Sequence, residues 1–147
     1  LQATARVYRA QGQYPRAEQF YQQSLRLTQQ VNNRYREAWV LNSLGLMLQD
    51  QGRYTEALAR YQQAMVIYRD QKNIPDEAST LINIGDVYRI QSNYKAALVA
   101  YNRAASIYAR IGDEWNESTT QQRIGRVYAE QQGQYENAAE ALETGQQ

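Results

Sequence analysis

Apolar residues recur along this chain at the spacing of an α-helix. Leu41, Leu44 and Leu48 fall at i, i+3 and i+7, so they lie on one helix face. After a turn at Gly52, a second run continues at i, i+4, i+7 and i+11, with Ala57, Tyr61, Ala64 and Tyr68. The pattern predicts two amphipathic helices joined by a short turn, and no segment shows the alternation typical of a strand.

This helical pattern repeats with a period of 40 residues, and a fixed period of this length is typical of stacked-repeat proteins. Gly45, Gly85 and Gly125 mark the period, and other positions follow the same step: Tyr14, Tyr54 and Tyr94, Ala17, Ala57 and Ala97, and Tyr21, Tyr61 and Tyr101. The last unit departs from it. Ten positions separate Gly125 from Tyr135, where nine separate Gly45 from Tyr54.

The repeat predicts an all-α chain of about four helix–turn–helix units, covering residues 1–33, 34–73, 74–113 and 114–147. Turns are expected at Gly12, Gly52, Ser92-Asn93 and Gly133, because these residues favour turn conformations. About eight helices follow, near residues 1–11, 14–31, 35–50, 54–71, 75–91, 94–111, 115–131 and 135–144. The chain opens on Leu1 with helical pattern already present, so we expect a single domain cut from a larger protein.

The three repeated glycines lie in mid-helix, where glycine costs about 1 kcal/mol relative to alanine. A close approach of the neighbouring helix would offset this cost. We therefore expect Gly45, Gly85 and Gly125 to face the partner helix of each hairpin at short range.

The residue types present exclude most catalytic chemistry. The chain has no cysteine and no histidine, so it lacks disulfides, thiolate nucleophiles and the commonest metal ligand. Glu114 and Glu117 are explained as first-turn helix acids. We expect no enzyme activity, no cofactor, no metal and no small-molecule substrate. No uncharged apolar run has the length of a membrane span, and we expect a cytoplasmic protein.

The charge balance points toward protein partners. Sixteen basic and 15 acidic residues leave a net charge of +1, without the basic excess usual for nucleic-acid binding. The basic residues are 14 arginines and only two lysines, and arginine is the better bidentate partner for carboxylates. This favours a partner with an acidic segment.

The repeated residues carry a family resemblance. The run Leu44-Gly45, Gly52-x-Tyr54, Ala57, Tyr61 and Ala64 resembles the tetratricopeptide repeat signature, and the next unit matches it with Ile84-Gly85, Tyr88, Tyr94, Ala97, Tyr101 and Ala104. The resemblance implies a right-handed α-solenoid that serves as a scaffold for protein binding. The 40-residue period is similar to the longer variety of this repeat, found in kinesin light chains, Rap-type regulators and bacterial signalling proteins.

The family resemblance also implies a binding surface. At about 100° per residue, a polar arc lies beside the apolar face of each first helix, and in the family this arc forms a concave peptide-binding groove. Asparagines there bond a peptide backbone and arginines take carboxylates. The candidate groove residues are Trp39, Asn42, Leu46, Gln49, Asn83, Asp86, Arg89, Gln122, Arg123 and Arg126, with Ser79 and Thr119 on the same arc. Only Asn83 and Arg123 fit a chaperone-type carboxylate clamp, which disfavours that ligand class.

Two alternatives to the peptide groove remain. One is nucleic-acid binding through groove arginines, with phosphate contacts at Arg6, Arg9, Arg89, Arg123 and Arg126; the near-neutral charge disfavours it. The other is self-association through uncovered end helices, because terminal repeats without polar caps expose apolar surface. The 13 tyrosines mostly occupy repeat positions, which predicts core packing, whereas Trp39 and Trp115 break the repeat.

Overall fold

The computed structural model describes residues 1–145, which form seven α-helices joined by turns of two or three residues. The helices are α1 (Gln2–Ala10), α2 (Tyr14–Gln30), α3 (Arg34–Asp50), α4 (Tyr54–Asp70), α5 (Ile74–Ile90), α6 (Tyr94–Ile111) and α7 (Glu114–Gly145). No strand occurs among these residues.

Side chains and backbone conformation define where the helices begin and end. Asn33, Asn73 and Asn93 cap three helices by accepting a hydrogen bond from a backbone N–H three residues on, which satisfies one of the free donors of the first turn. Each connection contains one residue of left-handed conformation, the geometry that reverses a chain after a helix. These residues are Gly12, Asn32, Gly52, Lys72, Ser92 and Gly112.

Successive helices pack as hairpins that stack on one another. Helix α1 packs on α2, α3 on α4 and α5 on α6, and each hairpin contacts the next through α2–α3, α4–α5 and α6–α7. The repeated apolar positions fill the space between helices, so that Leu44, Tyr61, Leu81 and Tyr101 are buried. The architecture is the α-solenoid that the family resemblance implied.

Two of the three repeated glycines lie where the prediction placed them. A Cβ atom added at Gly45 would lie 2.6 Å from Cε1 of Tyr61, and one added at Gly85 would lie 2.5 Å from Cε1 of Tyr101. Real Cβ atoms do not come so close to another carbon. The absence of a side chain therefore allows the tyrosine ring of the second helix to pack against the backbone of the first.

The prediction for the last unit is wrong in two respects. Helix α7 is continuous over 32 residues, so Gly133 lies inside a helix and the expected turn and eighth helix do not form. Nothing lies within 4 Å of a Cβ atom placed on Gly125, because no second helix covers it. The solenoid consists of three hairpins and one long final helix; residues 146–147 of the expected fourth unit lie outside the described residues.

The physical reason for the continuous helix is the loss of a tertiary contact. Leu142 stands where Tyr61 and Tyr101 stand in the preceding units, so the ring that holds a hairpin closed is missing. The segment 131–134 contains three glutamines and one glycine, and one glycine costs a helix only about 1 kcal/mol. Local helix preference therefore prevails.

We expect Gly85→Ala to destabilise the protein and Gly125→Ala to stabilise it. At position 85 the new methyl group displaces the Tyr101 ring, and overpacking of this kind costs about 1–3 kcal/mol. At position 125 the methyl group meets open space within the single chain, so in dilute solution the helix gains up to about 1 kcal/mol. Thermal unfolding followed by circular dichroism measures both variants; equal shifts of Tm would contradict the packing role of Gly85.

The buried tyrosines should make stability fall in alkaline solution. Burial raises the pKa of Tyr21, Tyr61, Tyr68, Tyr101 and Tyr108 above the ordinary value of 10.0. Their phenols then release protons in the unfolded chain before they do so in the folded one, so stability is complete below pH 10 and is lost as pH rises beyond it. Urea unfolding at a series of pH values tests this; constant stability up to pH 11 would contradict it.

Candidate functional site

The first helices α1, α3, α5 and α7 are joined side by side by hydrogen bonds between their polar side chains. Arg9 Nε lies 2.6 Å from Asp50 Oδ2, Asn83 Nδ2 donates to Asn42 Oδ1 at 3.1 Å, and Arg89 Nη1 lies 3.0 Å from Glu130 Oε1. Each pair is separated by 41 residues, so each bond links one unit to the next. We call the surface that carries these bonds the groove.

Two carboxylates in the groove each accept from two donors. Asp86 accepts from the Tyr101 hydroxyl and from Arg123 Nη1, the latter at 2.5 Å. Glu130 accepts from Arg89 at 3.0 Å and from Arg126 Nε at 3.1 Å. Arg126 keeps 66% of its side chain exposed, so part of its hydrogen-bonding capacity remains open to solvent.

The structure brings together several residues of the predicted polar arc. Ser79 and Asn83 of α5 line one cleft with Thr119 and Arg123 of α7. The other candidates differ in their surroundings: Trp39 and Leu46 are half-buried against the main core, Gln49 accepts a hydrogen bond from the Tyr61 hydroxyl at 2.8 Å, and Gln122 is exposed. Trp115, which breaks the repeat, is 78% exposed.

Two of the candidate arginines already form ion pairs within the protein. Arg89 and Arg123 already form ion pairs with Glu130 and Asp86. The Arg123 side chain of the second pair is 44% exposed. Exposed pairs stabilise a protein by about 0.2–1 kcal/mol, which is little enough for a partner carboxylate to replace Asp86.

Tyrosine hydroxyls from the second helices form the floor of the groove. Tyr21, Tyr61 and Tyr101 occupy the same repeat position and are fully buried. Tyr61 donates to Gln49 and Tyr101 donates to Asp86. The hydroxyl of Tyr21 is buried and has no hydrogen-bond partner among the described residues. The floor therefore contains one unsatisfied polar atom, in its first unit.

The neighbours of that hydroxyl explain why it is unsatisfied. The positions of Gln49 and Asp86 are taken in the first unit by Arg9 and Arg6, which are donors without acceptor capacity. Burial raises the pKa of Tyr21, while the nearby positive charges of Arg9 and Arg6 lower it less strongly. The phenol is neutral at pH 7 and carries a proton available for donation.

Sequence reasoning missed Tyr21, Asp50 and Glu130 as groove residues. A signal for the two acids exists at twice the period, because Arg9 and Arg89 are 80 apart and so are Asp50 and Glu130. One step of 40 from Arg9 and from Asp50 leads to Gln49 and Ile90, so a search at 40 residues does not find the pattern. The unsatisfied state of Tyr21 is visible only in three dimensions.

Comparison with known families agrees with the geometry. The sequence pattern of the tetratricopeptide repeat matches residues 3–70 and 76–145. The chain belongs to the tetratricopeptide repeat family. Proteins of curated function yield no match.

Solved structures of similar fold include several tetratricopeptide-like arrays. The apo form of RapI has a TM-score of 0.80 at 19% identity, over 90% of this chain and 37% of RapI. A putative kinesin light chain of Podosopora anserina has a TM-score of 0.74 at 18% identity, over 97% of this chain and 70% of its own. BtubC (BKLC) from P. vanneervenii has a TM-score of 0.65 at 18% identity, over 90% of this chain and 63% of its own. The chain thus spans less than two thirds of BtubC and of RapI, and these likenesses show the fold.

Two further features of the tetratricopeptide repeat chain concern membranes and metal ions. None of the helices described has the length and apolar character that a membrane span requires. Within residues 1–145, acidic side chains form no cluster of three or more that could hold a metal ion.

We expect removal of the Tyr21 hydroxyl to be tolerated and removal of the Tyr101 hydroxyl to be costly. Tyr21→Phe deletes a buried group that has no partner, which is neutral or stabilising. Tyr101→Phe deletes a hydrogen bond to the Asp86 carboxylate and should cost about 1–3 kcal/mol. Urea unfolding compares the two; an equal loss of stability in both variants would contradict the assigned hydrogen bonds.

Proposed function

We propose that this chain is a protein-interaction module that binds an extended, acidic segment of a partner protein in the groove formed by α1, α3, α5 and α7. Tetratricopeptide repeats generally mediate interactions between proteins. The residues of the groove supply the more specific part of the proposal, which is the chemistry of the ligand.

The proposal rests on one observation, the lack of a hydrogen-bond partner for the Tyr21 hydroxyl. In the third unit, the equivalent Tyr101 hydroxyl and an arginine side chain together hold a carboxylate, that of Asp86. In the first unit the tyrosine hydroxyl is present without an acceptor, and Arg6 occupies the position of the aspartate. A carboxylate from the partner would complete this arrangement, accepting from the hydroxyl and from the guanidinium group.

A cleft lies beside this site, although the Tyr21 hydroxyl itself is buried and does not line it. Arg6 and Arg9 line a cleft with Asp50, and small or apolar residues of α1 complete its wall: Ala3, Val7 and Ala10. Arg9 is held by Asp50, whereas no ion pair or hydrogen bond of the Arg6 side chain occurs within the described part of the chain. Arg6 is therefore the guanidinium group best placed to receive a carboxylate.

The middle of the groove supports an extended ligand. Asn42 and Asn83 bond each other through one atom each, leaving Asn42 Nδ2 and Asn83 Oδ1 without hydrogen bonds among residues 1–145. One free donor and one free acceptor suit the C=O and N–H groups of an extended backbone. At the far end, Arg126 shares Glu130 with Arg89 and remains largely exposed, so it can take a second carboxylate.

The charge of the groove favours an acidic peptide over a nucleic acid. Five arginines face three carboxylates, a small positive surplus: Arg6, Arg9, Arg89, Arg123 and Arg126 against Asp50, Asp86 and Glu130. Three carboxylates on the same surface repel a continuous phosphate backbone. A peptide with separated acidic side chains can match the arginines and avoid the acids.

A short acidic peptide tests the proposal directly. The probe is a fluorescein-labelled, extended peptide in which Glu and Asp alternate with small neutral residues, and its binding is followed by fluorescence anisotropy at low salt. We expect Tyr21→Phe to weaken binding by about tenfold or more, because a hydrogen bond to a charged group is worth about 1.5–3 kcal/mol. Arg6→Ala/Arg126→Ala should weaken it further.

Matched controls separate the groove from general charge attraction. Arg26→Ala/Arg110→Ala removes two exposed arginines from α2 and α6 and should leave affinity unchanged. A peptide with Gln and Asn in place of Glu and Asp should not bind, and rising salt should weaken the acidic peptide. Binding that ignores peptide charge, or that falls equally in both arginine double variants, would refute the proposed site.

A further inference from the structure

One face of α7 is uncovered although the same face of α3 and α5 is buried. Gly45 and Leu48 of α3 are buried beneath α4, and Gly85 is covered by Tyr101 of α6. The equivalent residues of α7 are Gly125, which has open space around it, and Tyr128, which is 55% exposed. Helix α7 therefore has the face on which the second helix of a hairpin packs, but no second helix lies on it.

This uncovered face continues along α7 from Gly125 to Leu142 as a regular stripe. Its members follow one another at alternating steps of three and four residues, the heptad spacing of helices that pair lengthwise. Its larger apolar members are exposed, Tyr135 by 66% and Leu142 by 70%. The stripe consists of Gly125, Tyr128, Gln132, Tyr135, Ala139 and Leu142.

The extra residue of the last unit creates this stripe. Nine positions separate the glycine from the tyrosine in the second unit, and nine positions at about 100° each would place the two residues on opposite sides of a continuous helix. Ten positions separate Gly125 from Tyr135, which brings Tyr135 onto the face that carries Tyr128. The insertion thus suits a straight helix better than a hairpin.

Two copies of the stripe fit each other when they run in opposite directions. Its members form three pairs that are symmetric about the midpoint between Gly133 and Gln134: Gly125 with Leu142, Tyr128 with Ala139, and Gln132 with Tyr135. Two antiparallel copies related by a two-fold axis make each such contact twice. In this register a large side chain always faces a smaller one, and Leu142 of one copy would face Gly125 of the other, as Tyr61 faces Gly45 within one chain.

We propose that two copies of this chain associate through their α7 helices, antiparallel and centred between Gly133 and Gln134. Segment 135–145 of each copy then takes, on α7 of the other, the place that α4 takes on α3. The contact extends over about 26 Å, from Gly125 to Leu142, at about 1.5 Å per residue. Arg123, Arg126 and Glu130 lie on the opposite side of α7, so the pair leaves both grooves open and does not depend on the proposed ligand.

Sedimentation equilibrium over a concentration series, from low micromolar to several hundred micromolar, measures the association. The wild-type chain should change from its monomer mass of 17.0 kDa toward twice that mass. Tyr135→Glu/Leu142→Glu places charges on the stripe and should remain monomeric. The control Gln134→Glu/Ala141→Glu adds the same charges to exposed positions on the opposite face of α7 and should dimerise as the wild type does. A wild type that is monomeric throughout, or equal behaviour of the two variants, overturns the proposal.

Cysteine crosslinking tests the antiparallel register, because the chain has no cysteine of its own. A mixture of the Gly125→Cys and Leu142→Cys variants should form a disulfide-linked dimer faster than either variant alone. Equally fast linkage of Leu142→Cys with itself would show a different register and contradict the proposal. The double variant should also link between chains; a disulfide formed within a monomer would mean that α7 folds back on itself, which overturns the proposal as well.

Discussion

The close approach of a tyrosine ring to a helix backbone at Gly45 and Gly85 is the contact on which the rest of the solenoid depends. A methyl group at either position would overlap the ring, so these points determine how near the two helices of a hairpin lie. The same approach brings the hydroxyls of Tyr61 and Tyr101 through to the groove, where they bind Gln49 and the Asp86 carboxylate. In each of these units one tyrosine therefore packs the two helices together through its ring and forms a hydrogen bond in the groove through its hydroxyl.

Where that contact is missing, the fold changes. Helix α7 has the glycine but no tyrosine to pack on it, and it continues as one helix through Gly133. The consequence is an uncovered face whose residues are symmetric about the middle of the helix. The loss of one ring contact thus replaces an internal helix–helix interface with a surface suited to a second copy.

The sequence alone predicted the period, the first six helices to within a residue or so, and the role of Gly45 and Gly85. It could not predict the continuity of α7, because Tyr135 and Ala138 repeat the local pattern of the earlier second helices and only a tertiary contact distinguishes them. It also missed Asp50 and Glu130, since their bonds join residues 41 apart and not 40. Which groove atoms lack a partner depends on how side chains of the two helices of a unit meet in three dimensions, as Tyr21 shows.

The tyrosine hydroxyls that reach the groove belong to the second helices of their units and not to the first helices that carry its polar side chains. Replacement of one oxygen atom in a second helix, by exchange of tyrosine for phenylalanine, would alter what a unit can bind while the visible wall of the groove stayed the same. In an array that grows by duplication of units, the ligand preference of a unit can therefore change while the sequence of its first helix stays the same. Similarity among the first helices is then a poor guide to shared ligands.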